Sequence, residues 1–215
     1  MDIILISGKQ GSGKTTLQKE LSKTLFQRKN KRVETVNFAD IIYKIHDFSL
    51  NVLGEHGIKR DIVKDGTLLQ LLGTEWGRNS INENVWPLAL RNRIIKLQEK
   101  GVDVVIIGDC RFENEFFFFP DALRIRLTAS EEVRKSRCSQ WRNNTDHPSE
   151  TGLDYLEMMN YFDAAYDTAF LGSEAITDLV IDKLIRQTWL EKRSPIVNNA
   201  DYLFQEKFRA TENAL

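Results

Sequence analysis

Cysteine, proline and net charge are all scarce in this sequence. Its 215 residues include 2 cysteines and 4 prolines, and the formal net charge at pH 7 is −1. Cys110 and Cys138 lack the spacing of a metal site or a disulfide framework, which favours a reducing compartment. A net charge this close to zero argues against a strong electrostatic field that would draw the protein to nucleic acid or to a membrane surface. An anionic ligand would therefore have to be held by a local group of positive side chains.

Long apolar runs are missing as well. The apolar segment after Met1 is only "DIILIS", and no other stretch approaches the length of a membrane span. We therefore predict a cytoplasmic protein without a signal peptide that binds neither a membrane nor a nucleic-acid polymer. The chain length predicts one folded domain over residues 1–188. Residues 189–215 form a predicted C-terminal extension and a candidate homodimer contact.

Short apolar runs alternate with helical patterns along the chain. The run "DVVIIGD" is apolar almost throughout, as expected of a strand that is buried on both faces. This alternation predicts an α/β fold, with a parallel sheet of about five strands and helices on both faces. Ligands then bind beyond the carboxyl ends of the strands. The predicted strands are residues 3–7, 33–38, 103–109, 122–129 and 164–170.

Apolar residues recur about every four positions in several segments, which indicates helices with one buried face. The sets are Leu17, Leu21 and Leu25; Leu68, Leu72 and Trp76; Trp86, Leu90, Ile94 and Leu97; and Ile176, Val180 and Leu184. Thr128 and Glu131 have the spacing of a capping box, which predicts that a helix opens directly after the fourth strand. We interpret the run Phe116–Phe119 as packing against the sheet rather than as a chemical feature.

A glycine-rich motif directly follows the first predicted strand. The segment "GKQGSGKT" (8–15) has the phosphate-loop pattern of a glycine, four residues and then Gly-Lys-Thr. Glycines let backbone N–H groups turn towards phosphate oxygens, and the start of the following helix adds partial positive charge. We expect Lys14 to reach the β and γ phosphates of ATP and Thr15 to ligate Mg²⁺. The candidate ATP-binding residues are Gly8, Lys9, Gln10, Gly11, Ser12, Gly13, Lys14, Thr15 and Thr16.

Asp109 ends the third predicted strand, at the edge of the sheet where the phosphate loop also lies. A carboxylate at this place would ligate Mg²⁺ or contact the phosphoryl acceptor. The simpler alternative is a strand-end carboxylate that accepts a hydrogen bond from a nearby backbone N–H group.

Several features favour a small-molecule kinase over a GTPase switch or a motor ATPase. The guanine-reading pattern Asn-Lys-x-Asp is missing, the chain has no evident second domain, and arginines cluster after the fourth strand. Residues 134–154 are polar, with proline and glycine near their end, and predict a mobile lid. Arg134 and Arg137 in this segment are candidate catalytic residues that neutralise the transferred phosphoryl group, and the alternative is an exposed basic helix face. Arg124 and Arg126 are expected to alternate out of a strand edge.

Four further blocks accompany the phosphate loop in order. They are "NFAD" (37–40), "LLQLLGTEWGR" (68–78) with Trp86 after it, "GDCRFENE" (108–115) and "DHPSETGLD" (146–154). In these blocks the chain resembles the deoxynucleoside monophosphate kinases of tailed bacteriophages, within the P-loop nucleoside monophosphate kinase group. The resemblance implies a P-loop kinase fold with a helical acceptor-binding region at about residues 40–100. It further implies phosphoryl transfer from Mg-ATP to a deoxynucleoside monophosphate, in the host cytoplasm if the chain is phage-encoded.

The resemblance also assigns residues to the acceptor side. Arg111 would grip the monophosphate bidentately and act as a catalytic residue. Trp86 would pack against the base or, alternatively, belong to a helix core. Glu115 would accept hydrogen bonds from the acceptor nucleotide or, alternatively, pair with Arg111 at the surface. The full acceptor-binding set, in which Arg60 is included by its position alone, is Asp40, Arg60, Gly73, Thr74, Trp86, Asp109, Arg111 and Glu115. The metal-binding set is Thr15 and Asp109.

Two other functions remain open at this point. One is another small-molecule P-loop kinase, such as dephospho-coenzyme A kinase. The other is a non-catalytic ATP-binding regulatory module, which would bind ATP without releasing ADP when an acceptor is added.

Overall fold

A computed structural model of the protein describes residues 1–58, 64–139, 141 and 146–191, the last four of these by their backbone alone. The candidate acceptor ligand Arg60 and residues 192–215 of the predicted C-terminal extension lie outside this range. Part of the predicted lid, residues 140 and 142–145, also lies outside it. No described helix is both long and apolar enough to span a membrane.

Five parallel strands form one sheet in the described part of the chain, in the order β2-β3-β1-β4-β5. Each predicted strand is present. In the centre of the sheet, Ile4 lies beside Ile106 of one neighbouring strand and Leu123 of the other. The strands are β1 (Asp2–Gly8), β2 (Val33–Val36), β3 (Val104–Cys110), β4 (Leu123–Thr128) and β5 (Ala164–Asp167).

Helices connect the strands and cover both faces of the sheet. The α-helices are α1 (Lys14–Lys29), α2 (Asp40–Glu55), α3 (Gly66–Gln70), α4 (Val85–Glu99), α5 (Glu113–Phe118), α6 (Glu131–Arg137), α7 (Pro148–Thr151), α8 (Asp154–Met158) and α9 (Ser173–Glu191). A π-helix, Leu71–Ile81, joins α3 to the turn before α4. The helical region between β2 and β3 is the predicted acceptor-binding region.

Alternation along the strands divides the core into two layers. Ile4 and Ile106 belong to the layer beneath α1 and α9, and Leu5 and Ile107 belong to the layer beneath α4 and α5. All four side chains are at most 1% exposed. This two-sided burial explains why β3 is apolar from Val104 to Ile107. The parallel pairing of β1 with β3 and β4 places the carboxyl ends of these three strands side by side.

The phenylalanine run packs as predicted. Phe116 and Phe119 are 1% and 6% exposed and belong to the core layer beneath α4 and α5. The Phe116 ring meets Phe162 edge-on, with a centroid distance of 4.9 Å. The run therefore anchors α5, the short helix that follows the carboxyl end of β3.

Two local predictions are wrong. Leu68, Leu72 and Trp76 do not share a buried face, because residues 71–81 form a π-helix with a longer repeat, in which Leu72 and Gly77 are buried while Trp76 is 43% exposed. The predicted capping box is also displaced. Thr128 ends β4, and the helix is capped two residues later by Ser130, whose hydroxyl oxygen accepts a hydrogen bond from Val133 N.

The close approach of Gly77 to Trp86 gives a stability prediction. A Cβ atom at Gly77 would lie 2.2 Å from Cζ2 of Trp86, whereas a Cβ atom at Gly54 in α2 would meet nothing within 4 Å. We expect Gly77→Ala to lower the free energy of unfolding by about 1–3 kcal/mol because the buried ring must shift. Gly54→Ala is the matched control and should be neutral or slightly stabilising. Equal urea midpoints for the two variants would contradict this packing.

Candidate functional site

The phosphate loop lies between β1 and α1, at the carboxyl edge of the sheet. Gly11 and Gly13 have left-handed φ values of 77° and 90°, which glycine adopts without strain. A Cβ atom at Gly11 would lie 2.5 Å from the carbonyl oxygen of Arg134, so α6 also packs closely against the loop. The sequence motif therefore folds in the expected strand–loop–helix context.

Lys14 begins α1 and folds back onto the loop. Its Nζ atom donates to the carbonyl oxygens of Gly8 and Lys9, at 2.6 and 2.9 Å. Burial, the largest cause, and the Arg111 guanidinium together lower the pKa of Lys14 from 10.5 to about 7, although the carboxylates of Glu150 and Asp109 oppose the shift. A buried amine with this pKa beside a second cation is suited to receive an anion, which would stabilise its protonated form.

The loop residues have the chemistry to hold ATP phosphates with a magnesium ion. Ser12 Oγ is fully buried and has no hydrogen-bond partner among the described residues. Thr15 and Thr16 are exposed on the first turn of α1. Within the described ranges, no group of three or more His, Cys, Asp or Glu residues could hold a metal ion. Thr15, on the first turn of α1, stays the predicted protein ligand for Mg²⁺, which prefers oxygen ligands.

Asp109 is held by backbone groups of the β2–α2 loop. Its two carboxylate oxygens accept hydrogen bonds from Phe38 N at 2.8 Å and Ala39 N at 3.0 Å. Burial raises the pKa of Asp109, and these two N–H groups limit the rise. The capping alternative thus describes the contacts that Asp109 makes here, and its role towards a metal or an acceptor stays a prediction.

Glu115 connects β3 to the π-helix. Its Oε2 atom accepts hydrogen bonds from Arg111 N and Phe112 N, and its Oε1 atom accepts one from Arg78 Nη2 at 2.6 Å. Burial raises the pKa of Glu115 to about 7, with Arg78 opposing the rise. Glu115 is 2% exposed. The alternative of a surface pair with the Arg111 side chain is therefore wrong.

Arg78 is a residue that the sequence reasoning missed. Its guanidinium contacts Glu115 and lies 4.3 Å from the Phe112 ring. It stood inside the block "LLQLLGTEWGR", but its partner is 37 residues further along the chain. Only the fold brings the π-helix against the segment after β3, so no local pattern could have revealed the pair.

The other acceptor-side candidates that the structure describes lie in the helical region between β2 and β3. Trp86 is 2% exposed and its Nε1 atom donates to Gly73 O at 2.8 Å. The helix-core alternative therefore describes the contacts of Trp86, whose hydrogen bond to Gly73 O ties α4 to the π-helix, and its role towards a base stays a prediction. Asp40 accepts hydrogen bonds from Asn37 N and from Arg93 Nη1, which ties α2 to α4.

Arg111 turns from β3 towards the phosphate loop. Its Nη1 atom donates to Glu150 Oε1 at 2.6 Å and to Ser149 O at 3.2 Å. Arg111 also lies near enough to Lys14 to lower the pKa of that lysine. The predicted acceptor-binding arginine is therefore within electrostatic range of the predicted donor-binding lysine.

The two predicted lid arginines have different surroundings. Arg134 is 8% exposed and donates to Gln10 O in the phosphate loop, so the alternative of an exposed basic face is wrong for it. Arg137 is exposed and donates to Oγ1 and O of Thr168, in the segment after β5. Their catalytic roles stay a prediction.

The sequence predicted that Arg126 projects from a strand edge, and this prediction is wrong. It lies on β4, between β1 and β5, and is 3% exposed. Its guanidinium donates to Ser7 Oγ, Asp154 and Glu157. An arginine on an interior strand was unexpected because its carboxylate partners come from residues about 30 positions later.

A parallel sheet of order β2-β3-β1-β4-β5, with a phosphate loop between β1 and α1, defines a P-loop kinase fold. The model of a family described as "AAA domain" matches residues 4–157, and the chain belongs to that family. The deoxynucleoside-5'-monophosphate kinase of Escherichia phage T5 is 31% identical over an alignment of 120 residues, and the match covers 51% of this chain and 44% of that protein. The predicted resemblance is thereby confirmed, although the chain spans less than half of the relative's length.

Solved kinase structures are also similar to this chain. Shikimate kinase from Acinetobacter baumannii in complex with shikimate has 13% identity and a TM-score of 0.49, covering 86% of this chain and 94% of that one. Shikimate kinase from Aquifex aeolicus has 16% identity and a TM-score of 0.48, covering 87% of this chain and 98% of that one.

Proposed function

We propose that this protein transfers the γ-phosphoryl group of Mg-ATP to a deoxynucleoside monophosphate. One observation carries the proposal: a phosphate-loop N–H group and the Arg111 guanidinium converge on one anionic group. Gln10 N and Arg111 Nη1 donate to the two oxygens of the Glu150 carboxylate, at 2.7 and 2.6 Å. A donor-side and an acceptor-side ligand therefore lie close enough to share one transferred phosphoryl group.

The choice of acceptor rests on the partial likeness to the phage T5 enzyme. The motif blocks of the sequence are in contact in three dimensions, since Glu115 contacts Arg78 of the π-helix and Trp86 contacts Gly73. The segments to which the resemblance assigns the acceptor therefore pack against one another next to Arg111, since Arg111 N also donates to Glu115. The monophosphate would bind Arg111, and its nucleoside would lie towards the helical region.

The reaction needs little proton chemistry. An anionic oxygen of the acceptor phosphate attacks the γ phosphorus, the bond from that phosphorus to the β–γ bridging oxygen breaks, and ADP leaves. No general base is required, because the attacking oxygen is already ionised near neutral pH. Mg²⁺ would neutralise charge on the β and γ phosphates. Lys14, Arg111 and the arginines of α6 would stabilise the charge on the transferred group.

A coupled assay of ADP release tests the proposal. Mg-ATP is offered with each ribo- and deoxyribonucleoside monophosphate in turn, and with dephospho-coenzyme A. We expect at least one deoxynucleoside monophosphate to stimulate ADP release, and we expect the Lys14→Ala variant, purified in parallel, to lose that stimulation. Activity with dephospho-coenzyme A alone would replace the proposal, and ATP binding without any stimulation would indicate a regulatory module.

The lowered pKa of Lys14 predicts proton uptake when a nucleotide binds. In the protein without nucleotide the Lys14 amine has a pKa of about 7, and a triphosphate beside it would raise that pKa. Calorimetric titration with ATP at pH 8, in two buffers of different ionisation enthalpy, should therefore show uptake of a large fraction of one proton. Lys14→Arg is the control, because arginine stays charged. Equal uptake in both proteins would contradict the assignment.

The same pKa shift sets the direction of a stability effect. Between pH 7 and 10.5 the unfolded chain binds the Lys14 proton more tightly than the folded protein does. This group therefore makes the fold relatively more stable as the pH rises through that range.

A further inference from the structure

The Glu150 side chain occupies an anion-binding position at the phosphate loop. Its Oε2 atom accepts a hydrogen bond from Gln10 N at 2.7 Å, and its Oε1 atom accepts one from Arg111 Nη1 at 2.6 Å. The side chain is 11% exposed. Backbone N–H groups of such a loop and a planar guanidinium are ligands that also suit phosphate oxygens. The carboxylate therefore stands in a place that fits a phosphate group.

Glu150 belongs to a segment that is fixed to the site by further acidic residues. Asp154 accepts hydrogen bonds from Lys9 Nζ at 2.6 Å and Arg126 Nη2 at 2.7 Å, and Glu157 accepts one from Arg126 Nε at 2.7 Å. Lys9 lies in the loop itself, whereas Arg126 lies on β4. The carboxylates of this segment thus neutralise cations of the site from one side.

The backbone of this segment also fits closely against Arg111. A Cβ atom at Gly152 would lie 2.6 Å from Pro148 O and 3.1 Å from Arg111 O. Upstream, His147 caps α7 through its Nδ1 atom, which accepts a hydrogen bond from Ser149 N. Glu150 is therefore held in position by both its backbone and its ion pairs.

We propose that residues 147–157 form an anionic latch, in which the Glu150 carboxylate competes with a nucleotide phosphate for Gln10 N and Arg111. Nucleotide binding and release of Glu150 are then coupled, and the measured affinity is reduced by the fraction of molecules in which the latch is closed. The proposal rests on the proposed function only in taking a nucleotide phosphate as the ligand. It makes Glu150 a regulatory residue rather than a catalytic one.

Binding measurements without an acceptor test the latch. The dissociation constants of ATP and inorganic pyrophosphate are measured by calorimetry for the wild type and for Glu150→Gln. The glutamine keeps the size of the side chain but loses its charge. Because hydrogen bonds to charged groups are the strong ones, we expect both ligands to bind on the order of tenfold more tightly. Unchanged or weaker binding of both ligands would overturn the proposal.

Two further variants separate competition from a simple change of charge. Glu150→Asp keeps the charge but is one methylene shorter and does not span both partners, so it should also bind ATP more tightly. Asp178→Asn removes one negative charge from α9, where Asp178 pairs only with the exposed Arg28 in the described structure, and should leave affinity unchanged. Tighter binding in Glu150→Gln but not in Glu150→Asp, or equal gains in Asp178→Asn, would refute the latch.

These outcomes are independent of catalysis. A protein that binds ATP but transfers no phosphoryl group would fail the proposed function while leaving the binding test of the latch intact. Conversely, an active kinase in which Glu150→Gln binds ATP less tightly would retain its function and lose the latch.

Discussion

Replacement of Lys14 by alanine is expected to lower kcat for phosphoryl transfer by about a thousandfold or more, because the variant lacks the amine that would stabilise the charge on the transferred phosphoryl group. Stability should change little. The amine is already costly to bury, as its pKa of about 7 shows, and its hydrogen bonds go to two loop carbonyls. Steady-state kinetics with the best acceptor and a thermal unfolding curve measure the two effects.

The control for Lys14 is Lys19→Ala, an exposed lysine on the same helix. It removes one positive charge from α1 without touching the loop, so both kcat and Tm should match the wild type. Near-normal turnover in Lys14→Ala would remove Lys14 from the proposed site, and a large loss of Tm would indicate a structural role instead.

Arg111→Ala is expected to lower kcat/KM for the acceptor by a factor on the order of 100 to 1000, since it would lose both charge and bidentate geometry. Arg111→Lys keeps the charge but not the planar fork, so it should recover only part of the activity. The KM for ATP should change much less than the KM for the monophosphate. Separate kinetic titrations of ATP and of the acceptor measure these two KM values.

Arg28→Ala is the matched control for Arg111, because Arg28 is 65% exposed at the far end of α1. It should leave both Michaelis constants unchanged. An unchanged acceptor KM in Arg111→Ala, or a loss that falls equally on ATP, would contradict the assignment of Arg111 to the acceptor side.

Patterns that depend on near neighbours in the chain were predictable. The strand–loop–helix motif around Gly8–Lys14 folds as its spacing indicated, since glycine conformations and a helix start are local properties. The five strands follow from short apolar runs, and α9 buries Ile176 and Val180 as its period requires. The exception is the π-helix at 71–81, where the number of residues per turn differs from that of an α-helix and Trp76 is exposed.

Roles that depend on distant partners were not predictable. The sequence predicted ligand-binding roles for Trp86, Asp109 and Glu115. In the structure their contacts are with Gly73, with backbone groups of the β2–α2 loop and with Arg78. Hydrogen bonding and burial decide whether a polar side chain faces a ligand or serves the fold. Neither quantity can be read from the spacing of residues in one sequence.

The sequence alone determined the phosphate loop, the parallel sheet and the order of the motif blocks, because local backbone preference and apolar periodicity are sufficient for these. The tertiary structure decided which charges meet. Arg126 binds Asp154 and Glu157, and Glu150 reaches Gln10 across 140 residues of chain. Electrostatic contacts depend on separation in space, and only the packed sheet and its helices set that separation.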